Sequence, residues 1–161
     1  MSDIKHGFEP FINDDSKLLI LGSFPSVKSR QVEFYYGNKQ NRFWRTVCSF
    51  FGDEIPETTD DKKEFLLKRK IALWDVVTEC EIVGSQDVTI KNFKVANIEK
   101  LLQNTKISFI IINGGTAFRI FEKNFKAVSV PYIKLPSTSP ANTKFSKEEW
   151  HNALCRVFGG A

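Results

Sequence analysis

Tyr36 and Asn38 lie in residues 34–44, the stretch of this chain best suited to chemistry: Phe-Tyr-Tyr-Gly-Asn-Lys-Gln-Asn-Arg-Phe-Trp. Phe34, Tyr35, Tyr36, Phe43 and Trp44 are interleaved here with Asn38, Gln40 and Asn41, with Lys39 and Arg42, and with Gly37. A core helix would not use amides and a glycine in this way, and a solvated loop would not carry so many rings. Aromatic faces beside amides and positive charge suit a flat, polar ligand tethered to an anion, such as a nucleobase on its phosphate backbone. The competing arrangement is a loop tucked under a helix that begins near Gln40 and buries Phe43 and Trp44. The site expectation therefore rests on Tyr36 and Asn38 alone.

Three further segments offer polar groups, each with a plain structural alternative. Gly22-Ser23-Phe24-Pro25-Ser26 is a tight turn where backbone could approach a ligand, or only a turn. It lacks the glycine spacing of a dinucleotide fingerprint and the Gly-Lys-Ser/Thr of a phosphate loop. Asp75 could read a ligand N–H or cap the turn that follows it. Ser137-Thr138-Ser139-Pro140 offers hydroxyls and backbone N–H groups to a phosphate, or is a rigid loop. Neither Ser137 nor Ser139 has a base in evidence that would make it a nucleophile. Cys48, Cys80 and Cys155 are far apart, and His6 and His151 have no ligand-spaced companion. Metal sites, disulfide frames and histidine-based triads are therefore not expected, and no cofactor is.

The elements that would position these groups follow from short apolar runs. Residues 17–21 (Lys-Leu-Leu-Ile-Leu), 71–74 (Ile-Ala-Leu-Trp) and 107–112 (Ile-Ser-Phe-Ile-Ile-Ile) read as strands buried on both faces. Residues 130–135 form a fourth strand, placed at an edge by Pro131. Helices are expected over 40–51, 61–70, 97–103 with Asn97 as N-cap, 115–125, and 146–158 with Ser146 and Glu149 as a capping box. Residues 79–92 read as irregular. Strands alternating with helices imply an α/β three-layer αβα sandwich around a parallel sheet. Ligands in such folds bind beyond the carboxyl ends of the strands. The turns at Gly22, Asp75, Asn113 and Pro136 share that rim.

Composition narrows the class. A chain of 161 residues with 42% hydrophobic and 26% charged residues fits a single globular domain, residues 1–161. No apolar run is long enough for a membrane span and residues 1–9 are polar, so a cytoplasmic location is expected. The net charge of +4 is mild. Its distribution is more telling: Lys28, Arg30, Lys39, Arg42 and Arg45 face only Glu33 between residues 27 and 45, a basic patch suited to phosphate.

Taken in order, Gly22-Ser23-Phe24-Pro25-Ser26, the Tyr36 to Trp44 stretch and Leu135-Pro136-Ser137-Thr138-Ser139-Pro140-Ala141-Asn142 resemble the motifs of the uracil-DNA glycosylase superfamily. Tyr35-Tyr36-Gly37-Asn38 together with residues 135–142 is most similar to its hypoxanthine-DNA glycosylase group, family 6. The resemblance implies a four-stranded sheet of order 2-1-3-4 and a monomer acting on DNA that carries a deaminated base. It implies base contacts from Phe24, Tyr36 and Asp75, with Tyr36 as stacking platform. DNA contacts are implied for Ser26, Ser137, Thr138, Ser139, Pro140, Ala141 and Asn142. Most branches carry Asp or Asn at the third position of the first motif to hold the attacking water, and this chain has Phe24. Asn38 matches the asparagine thought to serve instead, with Ser23 as its competitor. Asp75 stands where relatives place an asparagine that reads the base edge, and its protonation state is open from sequence. Ala141 stands where relatives place a bulky wedge. Uracil as target, or a non-catalytic nucleic-acid-binding module on the same fold, are the alternatives.

Overall fold

The computed structural model describes residues 3–159. The chain runs β1 (Ile4–His6), β2 (Leu18–Gly22), α1 (Val27–Val32), α2 (Phe43–Phe51), α3 (Thr59–Arg69), β3 (Ile71–Asp75) and β4 (Val77–Glu81). A short 3-10 turn (Asp87–Thr89) leads to β5 (Lys91–Val95), α4 (Ile98–Gln103), β6 (Phe109–Asn113), α5 (Gly115–Asn124), β7 (Tyr132–Leu135) and α6 (Lys147–Phe158). Strands β3, β2, β6 and β7 pair in that order, all parallel. Among the parallel strands this is the expected order 2-1-3-4, with β7 at an edge.

The continuous apolar runs form strands because both faces of the sheet are covered. Leu18 and Ile20 of β2, Ile71 and Leu73 of β3, and Phe109 and Ile111 of β6 point into one core with α2, α3 and α6. Leu19, Leu21, Ala72, Ile110 and Ile112 point the other way, against Ile98 of α4 and Ala117, Ile120 and Phe121 of α5. Trp150 and Phe43 are fully buried in the first core. The indole N–H of Trp150 donates to the Pro136 carbonyl at 2.8 Å, which ties α6 to the loop after β7. The expected caps are present: the Asn97 side chain accepts from Lys100 N and that of Ser146 from Glu149 N. Helix α3 starts earlier than residue 61 because Thr58 accepts from Asp61 N.

Residues 82–90 are irregular as expected, apart from the 3-10 turn, but 79–81 end β4 and 91–92 begin β5. Strands β4 and β5 pair antiparallel with each other, and β1 pairs with β4, giving a second sheet of order β1-β4-β5. Val77 and Cys80 of β4 pack into the second core, while all five residues of β5 are exposed. Helix α1 has no counterpart among the expected helices. Among the described residues no helix is long and apolar enough to cross a membrane.

Candidate active site

A cavity of about 690 Å³ opens at the carboxyl ends of the parallel strands. The turn after β2, Asp75 at the end of β3, Asn113 at the end of β6 and the loop after β7 all line it, together with Tyr36 and Asn38. Segments spread along the chain from Gly22 to Asn142 thus share one wall, as the position of the strand ends requires.

The register of β2 and β3 places Gly22 opposite Asp75. Val76 N donates to Gly22 O at 2.8 Å and Val77 N to Ser23 O at 3.2 Å, so pairing continues past the strand ends and fixes this turn. A Cβ on Gly22 would meet Asp75 Oδ1 at 2.5 Å and the Tyr36 hydroxyl at 3.3 Å. Glycine is needed here for close approach. Asp75 is buried, and burial, seconded by the charge of Asp87, pushes its carboxyl up to about 8. At neutral pH it is therefore the neutral acid, a donor and an acceptor side by side. Among the described residues, Asp75 Oδ2 and the Tyr36 hydroxyl are buried without a hydrogen-bond partner. Burial and the nearby Asp75 also raise the Tyr36 phenol well above its ordinary value, so it stays protonated.

Tyr36 stacks on Phe43, with ring centroids 4.1 Å apart and planes 16° apart. The unusual backbone angle of this stretch is at Tyr36 itself, with φ 53, and not at Gly37. Gly37 serves close approach instead. A Cβ there would meet Val32 Cγ2 at 2.5 Å, and its N–H donates to Ser29 Oγ at 2.9 Å. The Trp44 indole N–H holds the turn from below, donating to Tyr36 O at 3.1 Å and Tyr35 O at 3.3 Å. Asn38 Oδ1 accepts from Gln40 N at 2.9 Å, leaving its Nδ2 and a second lone pair for other partners. Asn41 Oδ1 accepts from Phe43 N, and α2 accordingly begins at Phe43 and not near Gln40.

The loop after β7 is held from inside. Thr138 is fully buried; its hydroxyl accepts from Asn113 Nδ2 and its N–H donates to Asn113 Oδ1, both at 3.0 Å. Thr138 is thus an anchor of the loop, which corrects its assignment as a DNA contact. Ser139 N donates to Ser137 Oγ and Ala141 N to Ser139 Oγ, while Asn142 Nδ2 donates to Ser137 O. Ser139, Pro140, Ala141 and Asn142 line the cavity mouth with Ser137. Two cations of the basic patch are also engaged. Arg42 donates to the Ser139 and Asn142 carbonyls, and Arg30 to those of Pro25 and Gly84. Ser26 is the N-cap of α1, accepting from Ser29 N at 3.1 Å, and Phe24 packs into the second core beneath the Arg30 guanidinium.

The sequence model of the Uracil DNA glycosylase superfamily matches residues 9–156. The chain belongs to that superfamily. It is 36% identical over 152 residues to a hypoxanthine DNA glycosylase of Methanosarcina acetivorans, covering 91% of this chain and 96% of that protein. It is 30% identical over 156 residues to a hypoxanthine DNA glycosylase of Methanosarcina barkeri, covering 94% and 99%. A solution NMR structure of a Methanosarcina acetivorans protein, described as a candidate uracil DNA glycosylase, superposes with a TM-score of 0.84 at 32% identity. That match covers 96% of this chain and 99% of the other.

In this superfamily member Asn113 stands on the rim where the strand ends place it, and its use there is to clasp Thr138. Asp87, in the segment that reads as irregular, accepts a hydrogen bond from Ser23 Oγ at 2.8 Å. The sequence carries no signal for it, because it lies between β4 and β5, which the sequence does not show.

Proposed function

We propose that this chain is a monofunctional DNA glycosylase that hydrolyses the N-glycosidic bond of a deaminated base, hypoxanthine in deoxyinosine. The reading is carried by the neutral acid of Asp75 and the phenol of Tyr36, both unpartnered in one cavity of a uracil DNA glycosylase superfamily chain. Hypoxanthine presents an N–H beside a carbonyl on its Watson–Crick edge. A protonated carboxyl offers the complementary acceptor and donor, as an asparagine does. The two curated relatives are named for this base.

The base must first leave the stack, at a cost of a few kcal/mol. Stacking on an aromatic ring returns about 1–3 kcal/mol, and Tyr36, backed by Phe43, supplies that surface. Departure of the base leaves an oxocarbenium-like sugar, so an oriented water matters more than a strong base. In this reading the amide of Asn38, which lines the cavity, holds that water. A neutral Asp75 does not oppose the negative charge that develops on the departing base, as a carboxylate would. Ala141 is exposed at the mouth and presents a single methyl, too small to fill the gap a flipped base leaves. The protein should therefore favour mispaired or single-stranded targets.

The test is incubation with DNA carrying hypoxanthine, uracil or xanthine, followed by alkaline cleavage at abasic sites. The proposal expects strand breaks fastest at hypoxanthine. Fastest release of uracil would reassign the substrate. Binding to deoxyinosine DNA without release would make the chain a non-catalytic module.

A further inference from the structure

Ser23 and Asp87 are joined in the cavity wall by the 2.8 Å bond from Ser23 Oγ to Asp87 Oδ2. Both partners are held by other contacts. Ser23 O accepts from Val77 N at 3.2 Å. The turn carrying Asp87 is bound internally by Thr89 Oγ1, which accepts from Val83 N at 2.8 Å and donates to Gln86 O at 2.6 Å. It is fastened to α1 by Val27 N donating to Ser85 Oγ and by Arg30 donating to Gly84 O, each at 2.8 Å. A serine hydroxyl has one proton and two lone pairs. With its proton committed to Asp87, Ser23 Oγ can act toward the cavity only as an acceptor.

Two other charged groups are coupled to Asp87: its own charge acts on Asp75 at the end of β3, and the charge of Arg119 on α5 acts on it. Burial raises the Asp87 carboxyl above its ordinary value, while the Ser23 bond and the charge of Arg119 pull it down. Whenever Asp87 is ionised, its charge adds to burial in helping Asp75 keep its proton.

We propose that Asp87 is a positioning residue acting through Ser23: it keeps the serine oxygen as an acceptor for the attacking water and takes up, through that hydroxyl, the proton the water loses. The proposal rests on the glycosylase reading. As the bond from C1′ to the base nitrogen breaks, its electron pair leaves with the base. The water oxygen then bonds to C1′ while one of its protons passes to Ser23 Oγ. The Ser23 proton passes to Asp87 Oδ2, which ends as the neutral acid, and the departed base anion takes a proton from solvent. Asn38 would hold the same water from another part of the wall.

Asp87→Asn keeps the size and an acceptor for Ser23 but cannot take the proton. Single-turnover release of hypoxanthine should fall by roughly 10²-fold or more, with DNA affinity and unfolding temperature unchanged. Ser23→Ala should fall as far, and the double variant no further, because the two act as a unit. The unaltered protein should gain rate as pH rises through the Asp87 titration, while Asp87→Asn shows no such limb. Asp87→Glu should recover part of the rate. A wild-type rate and pH profile in Asp87→Asn, or fully additive losses in the double variant, would overturn the proposal while leaving the glycosylase reading intact. No base release by the unaltered protein would overturn both.

Discussion

Gly22 and Asp75 face each other at the ends of β2 and β3, so closely that a Cβ on Gly22 would lie 2.5 Å from Asp75 Oδ1. Gly22 is not among the described residues with positive φ, so its backbone accepts alanine and the carboxyl group must give way. Gly22→Ala is expected to fold and to lose base release by roughly 10²-fold, the scale of an ångström-sized misplacement in an active site. Thermal unfolding and single-turnover release measured together check this. A folded variant with the unaltered rate would mean that the position of Asp75 does not matter.

Asp75 makes a pH-dependent prediction of definite sign. An unfolded aspartate ionises near pH ~4, whereas in the folded chain Asp75 holds its proton up to about 8. Between these values the folded state binds the extra proton. The stability this group confers is full below the unfolded value and is lost as pH rises through the folded one. Asp75→Asn removes that titration while keeping a donor and an acceptor. The unfolding temperature of the variant relative to the unaltered protein should climb from pH 5 to pH 8 and then level. Its base release should also persist at pH values where the unaltered protein, with Asp75 ionised, declines. Parallel profiles for the two proteins would remove Asp75 from both roles.

Tyr36 separates platform from core. Its ring covers Phe43, which is fully buried, while Tyr36 itself is half-buried and holds a left-handed backbone. Tyr36→Ala should lose most activity and only the modest stability of an aromatic pair, about 0.5–1.5 kcal/mol beyond the area lost. Phe43→Ala should cost about 3–5 kcal/mol. Tyr36→Phe, which keeps the ring and removes an unpartnered hydroxyl, should be as stable as the unaltered protein but slower. If denaturant unfolding shows Tyr36→Ala as damaging as Phe43→Ala, Tyr36 is a core residue.

The sheet was legible because β2, β3 and β6 are buried on both faces, and only an unbroken apolar run satisfies that environment. The same rule hid β4 and β5. Lys91–Val95 is exposed at every position and carries no alternation to see, and Asp87 was lost with it. Helix α1 is six residues long, and Ser26, which caps it, was read as part of a turn. The rim was anticipated from strand ends alone, whereas the use of each polar group was not. Thr138 looked available in sequence and is consumed by Asn113. Gly37 is the residue of this stretch with the freest φ, yet the left-handed residue is its neighbour Tyr36.

Single-turnover release of hypoxanthine by Asn38→Ala tests most directly whether this cavity hydrolyses a glycosidic bond with an asparagine-held water. Asn38 lines the cavity with one lone pair tied to Gln40 N and the rest of its amide uncommitted to that bond. Removing the amide should slow release by roughly 10²-fold or more, as loss of one preorganised polar group does. The dissociation constant for deoxyinosine DNA should barely change, because phosphate contacts elsewhere supply most of the affinity. A variant that releases hypoxanthine at the unaltered rate would take the water, and the mechanism built on it, away from Asn38.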